Sequence, residues 1–212
     1  MDLSLMRQEF VREGLSEEDL RPDPISQFEF WFQQAMDGNM EMANAMSLST
    51  VSADGQPSLR TVLLKFFDRR GFVFYTNYES RKSREISENP QVALLFPWLH
   101  LERQVVILGK AEKVGTAESV KYFLTRPRGS QIGAWCSNQS SVINSRQMLM
   151  AKFEEIKEKF HNQEIPIPSF WGGYRVVPHH MEFWQGRENR LHDRFLYLLQ
   201  PDGSWTSQRL AP

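Results

Sequence analysis

The chain has 212 residues, 41% of them hydrophobic and 24% charged, enough for one domain around a single substantial core. Its formal net charge of -1 excludes the basic excess of a broad nucleic-acid footprint, and no apolar run approaches the ~20 residues of a membrane span. The single cysteine, Cys136, rules out an intramolecular disulfide; with no signal-peptide pattern at Met1-Asp2-Leu3-Ser4, the expected compartment is the cytoplasm.

Residues 1–22 are polar and charged, with breakers at Glu13-Gly14 and Arg21-Pro22, and read as a mobile arm. Residues 23–212 form the single expected domain. Asp23-Pro24 starts a helix, with Asp as N-cap and Pro in the first turn; Phe28, Trp31, Phe32 and Ala35 share one face, and Asp37-Gly38 ends it. The period then becomes that of strands. Residues 46–52 and 58–66 flank Ala53-Asp54-Gly55-Gln56, a hairpin signal, and a turn at Asp68-Arg69-Arg70-Gly71 leads into a strand at 72–76. Ser80 caps a short helix that stops before Asn89-Pro90. Strands at 91–97 and 103–114 follow, then a helix capped by Thr116 that runs through Leu124.

Residues 145–161 predict an amphipathic helix, with Leu149, Phe153, Ile156 and Phe160 on one stripe. Closing strands are expected at 171–177, 181–184, 194–199 and 205–210. Six or more short strands at hairpin spacing, with helices between some of them and no βαβ alternation, predict a mainly β fold with flanking helices, an antiparallel barrel of Greek-key type.

Several chemistries lack their residues. The chain has no Gly-rich phosphate loop of the dinucleotide or Walker type, no Gly-x-Ser-x-Gly elbow and no Cys/His spacing suited to zinc. Cys136, between Trp135 and Ser137, has no local helper and reads as a buried, inert thiol. An organic cofactor is the better candidate, and no metal is expected.

The anion-binding groups are the positive signal. Ser80-Arg81-Lys82 opens a helix, where free N–H groups and two cations suit a phosphate; taken alone, the stretch reads as a solvated helix start. Arg60 and Lys65 stand an odd number apart; a regular strand would put them on opposite faces, facing two different anions. Arg126, Arg128 and Ser130 cluster around Pro127, and Gln139-Ser140-Ser141 adds neutral donors. Residues 183–194 (Phe-Trp-Gln-Gly-Arg-Glu-Asn-Arg-Leu-His-Asp-Arg) bring three arginines, a histidine and a tryptophan together. That set suits a planar, anionic, aromatic ligand; the alternative is a hairpin whose arginines pair with Glu188 and Asp193 in solvent.

Seven separated stretches, in order, carry a resemblance: Arg60-Thr61-Val62-Leu63-Leu64-Lys65, Tyr75-Thr76-Asn77, Ser80-Arg81-Lys82, Glu102-Arg103-Gln104-Val105, Ser130-Gln131-Ile132-Gly133-Ala134, Gln139-Ser140-Ser141 and residues 183–194. From about Asp23 to the C-terminal Pro212 the chain resembles the pyridoxine/pyridoxamine 5'-phosphate oxidase family, FMN-dependent split β-barrel enzymes. The resemblance implies that Arg60, Arg81, Lys82, Gln139 and Ser140 hold FMN by its phosphate and ribityl chain. Thr61, Val62, Leu63, Leu64 and Lys65 line the same groove with Tyr75 and Thr76, and Gln104, Trp184 and Arg194 flank the flavin ring. The substrate phosphate falls to Lys65, Tyr122, Arg126 and Ser130. Arg190, Leu191 and His192 lie over the pyridine ring, Arg190 and His192 as the catalytic pair.

The implied reaction transfers a hydride from C4' of pyridoxine 5'-phosphate or pyridoxamine 5'-phosphate to FMN. It yields pyridoxal 5'-phosphate, with O2 reoxidising the flavin to give H2O2 and with NH3 released from the amine. The resemblance also implies a homodimer with FMN at the subunit interface. Family members carry a lid tyrosine in the arm, three residues after an arginine; here the pair is Arg7 and Phe10, which lacks the hydroxyl. Rival readings are a split-barrel flavin reductase, a non-catalytic pyridoxal phosphate or FMN carrier, and a single-stranded nucleic-acid binder, which the near-neutral charge disfavours.

Overall fold

Asp23 and Pro24 open α1 (Pro24–Asp37) as the sequence predicts. Asp23 Oδ1 accepts the N–H groups of Ile25 and Ser26, each at 3.0 Å, and Pro24 occupies a first-turn position that needs no N–H. The helix buries Phe28, Trp31 and Ala35. Phe28 meets Phe72, Phe96 and Phe67 at ring-centroid distances of 4.8, 4.9 and 5.1 Å. Burying a ring of this size stabilises by about 1.5–3 kcal/mol, so α1 is held chiefly by its contact with the sheet.

The computed structural model describes Leu3, Leu5, Phe10 and residues 14–212. Among them are β1 (Ala45–Val51), β2 (Pro57–Leu63), β3 (Phe66–Asp68), β4 (Gly71–Asn77), β5 (Gln91–Trp98), β6 (Arg103–Lys113), β7 (Trp171–Gln185), β8 (Asp193–Leu199) and β9 (Trp205–Leu210). All pair antiparallel in one curled sheet of order β2-β1-β5-β6-β7-β4-β3, with β8 on β7 and β9 on β8.

β7 corrects the expectation of two strands at 171–177 and 181–184. It runs unbroken through Pro178 because the irregularity is taken up by a register shift against Leu108 and Gly109 of β6. Only glycine fits at 109, where a Cβ would stand 2.5 Å from the Val177 carbonyl oxygen. The first half of β7 pairs with β4, from Phe72↔Val176 to Asn77↔Trp171. Its second half pairs with β8, from His180↔Leu198 to Gln185↔Asp193. This single strand therefore carries both halves of the sheet.

The expected strand at 58–66 is also corrected. β2 ends at Leu63, and β3 starts at Phe66. Between them the Leu64 N–H donates to the Asn44 carbonyl at 2.8 Å and the Lys65 N–H to the Val73 carbonyl at 2.9 Å. The break turns Lys65 toward the side that Arg60 faces, so the opposite-face expectation fails.

Helices α2 (Arg81–Glu88), α3 (Thr116–Thr125) and α5 (Arg146–Lys159) match expected ones, although the N-cap of α3 is Gly115 and not Thr116. A further helix, α4 (Arg128–Cys136), was not anticipated. α4 and α5 enclose a second, smaller core of Phe123, Ile132, Cys136, Ile156, Phe160, Ile165 and Trp171. Here the Cys136 thiol donates to the Ile132 carbonyl at 3.1 Å, and burial raises its pKa. At the N-terminal side Leu15 is buried; its N–H donates to Asp193 Oδ2 at 3.0 Å, and Arg209 Nε meets Glu17 Oε1 at 3.0 Å. Arg7 lies outside the described residues. Among those described, no helix is long and apolar enough to cross a membrane.

Candidate active site

β2, β4, α2, the start of β7 and the α3–α4 region surround a cavity of about 990 Å3, at the top of the roughly 300–1,000 Å3 span of ligand pockets. Its wall contains Arg60, Lys65, Arg81, Lys82 and Arg126, and no acidic side chain among the described residues. Five cations lining one cavity of a chain whose net charge is -1 mark it as a site for anions.

One cationic corner forms where the first turn of α2 meets β2 and β4. Lys82 is 9% exposed. Its Nζ donates to Gln139 Oε1 at 2.8 Å, Thr76 Oγ1 at 3.2 Å and Ser80 Oγ at 3.3 Å, all neutral acceptors. Burial, then repulsion from Arg60, lowers its pKa to about 8, with Glu85 opposing. Arg60 Nη1 donates to Thr50 Oγ1 at 2.5 Å and to the Leu48 carbonyl at 3.1 Å, and burial lowers its pKa as well. Arg81 pairs with Glu85 at 2.7 Å. The loop after α4 closes this end. Thr76 Oγ1 donates to Gln139 at 3.1 Å, Asn77 Nδ2 donates to the Ser137 carbonyl at 3.1 Å, and Ser140 takes a φ of 72°.

A second corner lies where α3 ends. Tyr75, Tyr122 and Trp171 form a near-parallel stack, with Tyr75–Tyr122 at 4.0 Å and 18° and Tyr75–Trp171 at 5.4 Å and 9°. The Arg126 guanidinium sits 4.6 Å from the Trp171 ring centroid. Its Nη1 is buried with no hydrogen-bond partner among the described residues, and burial lowers its pKa. Lys65 and Ser130 line the same cavity.

Gln104, Trp184 and Arg194 do not line this cavity. They stand in one row across β6, β7 and β8, paired Gln104↔Trp184 and Trp184↔Arg194, so their side chains share a sheet face. Arg194 is held by Glu182, at 2.8 Å from Nε and 3.1 Å from Nη2. The Trp184 and His192 rings are 4.6 Å apart, and Phe10 packs edge-on against both, at 5.6 and 5.4 Å. His192 Nδ1 accepts the Arg187 N–H at 3.1 Å, which leaves the neutral ring's proton on Nε2. Burial, then Arg190, lowers the His192 pKa, with Asp193 opposing. Asn189 and Arg190 have φ of 55° and 61°, strained backbone costing about 1–3 kcal/mol per residue.

A family model described as pyridoxamine 5'-phosphate oxidase matches residues 32–160. A second, described as the pyridoxine 5'-phosphate oxidase C-terminal dimerisation region, matches residues 171–212. The chain belongs to the pyridoxamine 5'-phosphate oxidase family. It is 65% identical, over the whole of both chains, to a pyridoxine/pyridoxamine 5'-phosphate oxidase of Rippkaea orientalis. Among solved structures it resembles PhzG of Burkholderia lata in complex with tetrahydrophenazine-1-carboxylic acid, with a TM-score of 0.87, 30% identity, and 92% and 95% of the two chains covered. A pyridoxamine 5'-phosphate oxidase-related, FMN binding protein of Nostoc punctiforme gives a TM-score of 0.73 at 15% identity, covering 91% of this chain and 100% of that one. At that identity it bears on the fold alone, the split barrel.

Within this family frame, the residues singled out from the sequence fall into two groups. Arg60, Thr61, Val62, Leu63, Lys65, Tyr75, Thr76, Arg81, Lys82, Tyr122, Arg126, Ser130, Gln139 and Ser140 line the cavity. Gln104, Trp184, Arg190, Leu191, His192 and Arg194 lie elsewhere. Trp171 of the cavity and Trp184 of the strand row are 13 residues apart on β7, a contour of roughly 40 Å at ~3.3 Å per residue. Leu64 belongs to neither group: it is 4% exposed and packs in the main core. Sequence reasoning missed Trp171, Thr50, Ser58 and Glu85. For Glu85 the available signal was its i,i+4 spacing from Arg81.

Proposed function

We propose that this protein oxidises pyridoxine 5'-phosphate or pyridoxamine 5'-phosphate to pyridoxal 5'-phosphate, with FMN as cofactor and O2 as electron acceptor. The alcohol and O2 give the aldehyde and H2O2; the amine, O2 and water give the aldehyde, NH3 and H2O2. The observation that carries the reading is one cavity with two cationic corners, suited to two phosphate monoesters, one from the cofactor and one from the substrate. The donor set fits such ligands. The Lys82 ammonium has only neutral acceptors, and a nitrogen of the buried Arg126 guanidinium has none among the described residues. The names of the full-length relatives support the same substrates.

FMN bound there would supply a two-electron acceptor for the substrate's C4', reoxidised by O2. Arg60, Arg81 and Lys82 hold its phosphate, with Gln139 and Ser140 closing over it from the loop after α4. Lys65, Tyr122, Arg126 and Ser130 would hold the substrate phosphate, and the Tyr75–Tyr122–Trp171 stack walls that end of the cavity. Gln104, Trp184 and Arg194 meet the flavin ring from a second copy of the chain, since the β7 contour separates them from their own cavity. A homodimer with paired sites follows, in keeping with the match to a dimerisation region. Arg190 and Leu191 cover the substrate ring, and His192 offers it the proton on Nε2. These roles need positioning more than proton transfer, consistent with a catalytic gain from near-attack geometry.

The test is product formation. Supplied with FMN, air and pyridoxine 5'-phosphate, the protein is expected to release pyridoxal 5'-phosphate and H2O2 one to one, with NH3 as well from the amine. Failure to form pyridoxal 5'-phosphate from either substrate would sink the proposal.

A further inference from the structure

Glu85 has no part in the reaction as described, yet it touches the cationic wall from behind. Its side chain is 5% exposed. Arg81 Nε donates to Oε1 at 2.7 Å, while Oε2 accepts from Thr50 Oγ1 at 2.5 Å, Ser58 Oγ at 2.6 Å and Arg60 Nη2 at 3.4 Å. Arg60 is bonded in turn to Thr50 and Ser58. A single carboxylate on α2 thus gathers two guanidiniums and two hydroxyls drawn from β1, β2 and α2. Burial alone would raise its pKa, but the bonds from Ser58, Thr50 and Arg81 together hold it at about 2, so it is ionised throughout the working range.

We propose that Glu85 is a positioning residue of the cofactor phosphate site, holding the Arg60 and Arg81 guanidiniums in one arrangement before the phosphate arrives. The proposal rests on the reading of that corner as the FMN phosphate site. Arg81 shows why an anchor matters: its side chain is 56% exposed, and without Glu85 it would spread over many rotamers that binding must then freeze. The charges also balance. Arg60, Arg81 and Lys82 against Glu85 leave two positive charges at neutral pH, matching the roughly -1.5 to -2 of a phosphate monoester. Losing the carboxylate would also relieve its repulsion of the phosphate, an effect of opposite sign. Preorganisation dominates because the carboxylate lies behind the arginines and they make the contact.

The test compares FMN with riboflavin, which lacks the phosphate, by quenching of flavin fluorescence at fixed ionic strength. Wild type is expected to prefer FMN strongly. Glu85→Gln should cut that preference by about tenfold or more, through weaker FMN binding, with riboflavin affinity within about twofold of wild type. A merely structural defect would weaken both flavins together. Adding Arg81→Gln to Glu85→Gln should cost less FMN affinity than Arg81→Gln costs alone, since the arginine is no longer held. Glu85→Asp keeps the charge but lacks one methylene of reach, and should fall between wild type and Glu85→Gln. If Glu85→Gln does not fold, Glu85→Asp decides. A folded variant with an unchanged or stronger preference for FMN overturns the role of Glu85 and leaves the site reading intact. Wild type that does not distinguish FMN from riboflavin removes the site reading, and the proposal with it.

Discussion

The proposed place of Lys82 in the FMN phosphate site makes cofactor binding depend on pH in a direction set by its burial. Its ammonium is buried among neutral acceptors with Arg60 nearby, and its pKa falls from an ordinary 10.5 to about 8. In the empty folded protein the proton leaves near pH 8, whereas in the unfolded chain it stays until about 10.5. Below pH 8 both states hold the proton and the fold bears the full cost of the buried charge. Between pH 8 and 10.5 only the unfolded chain holds it, so the empty protein gains stability as pH rises. Phosphate binding reverses the shift by supplying the missing countercharge. If binding restores the ordinary pKa, the 2.5-unit difference sets an upper bound of about 3.4 kcal/mol on the coupling. FMN affinity should then fall about twentyfold between pH 7.5 and 9.5, with about 0.75 proton taken up per FMN at pH 8.5. Titration calorimetry in two buffers of different ionisation enthalpy reads that uptake, and Lys82→Met should abolish it. Binding at pH 8.5 without proton uptake, or the same pH slope in Lys82→Met, would refute the reasoning.

Four other outcomes follow from the geometry. Arg126→Ala should raise KM for phosphorylated substrates by on the order of a hundredfold, the loss of two charge-assisted hydrogen bonds, while FMN affinity stays within about twofold. Steady-state kinetics with a parallel flavin titration checks this, and equal losses for both ligands would contradict separate corners. Thermal unfolding of empty Arg126→Met should show a Tm no lower than wild type, because the guanidinium is buried and incompletely bonded. Arg190→Ala should slow flavin reduction in single-turnover measurements more than it loosens FMN. Co-expressed with Arg126→Ala it should restore activity at about a quarter of the sites, because a mixed dimer has one cavity and one strand face intact. No recovery in isolated mixed dimers would mean that each chain uses its own face.

Much of this architecture was legible because local chemistry and tertiary structure agree. Asp23-Pro24 opens the helix it was expected to open, the helix expected at 145–161 forms as α5, and the Phe28–Trp31–Ala35 face is buried as its spacing predicts. α4 was missed because Gly129 and Gly133 depress helix propensity, and only packing of Ile132 and Cys136 against α5 overrides that. The strands expected at 171–177 and 181–184 are one because β7 takes up an extra residue, His179, opposite the Leu108–Gly109 step of β6, so pairing continues past Pro178. The odd spacing of Arg60 and Lys65 misled because the strand breaks at Leu64, whose side chain goes to the core. Side-chain chemistry singled out the cationic and aromatic groups, but it could not show that they divide between a cavity and a remote strand row. That division depends on the length and pairing of β7, which are long-range properties.

The central claim is tested most directly by excluding oxygen, adding pyridoxine 5'-phosphate to the FMN-loaded protein and recording the flavin spectrum. The account predicts bleaching of the yellow colour within the enzyme's turnover time, pyridoxal 5'-phosphate equal to the flavin reduced, and return of the colour when air is admitted. A bound flavin that stays yellow with both pyridoxine 5'-phosphate and pyridoxamine 5'-phosphate would contradict it, leaving a flavin-binding split barrel whose two cationic corners serve some other pair of anions.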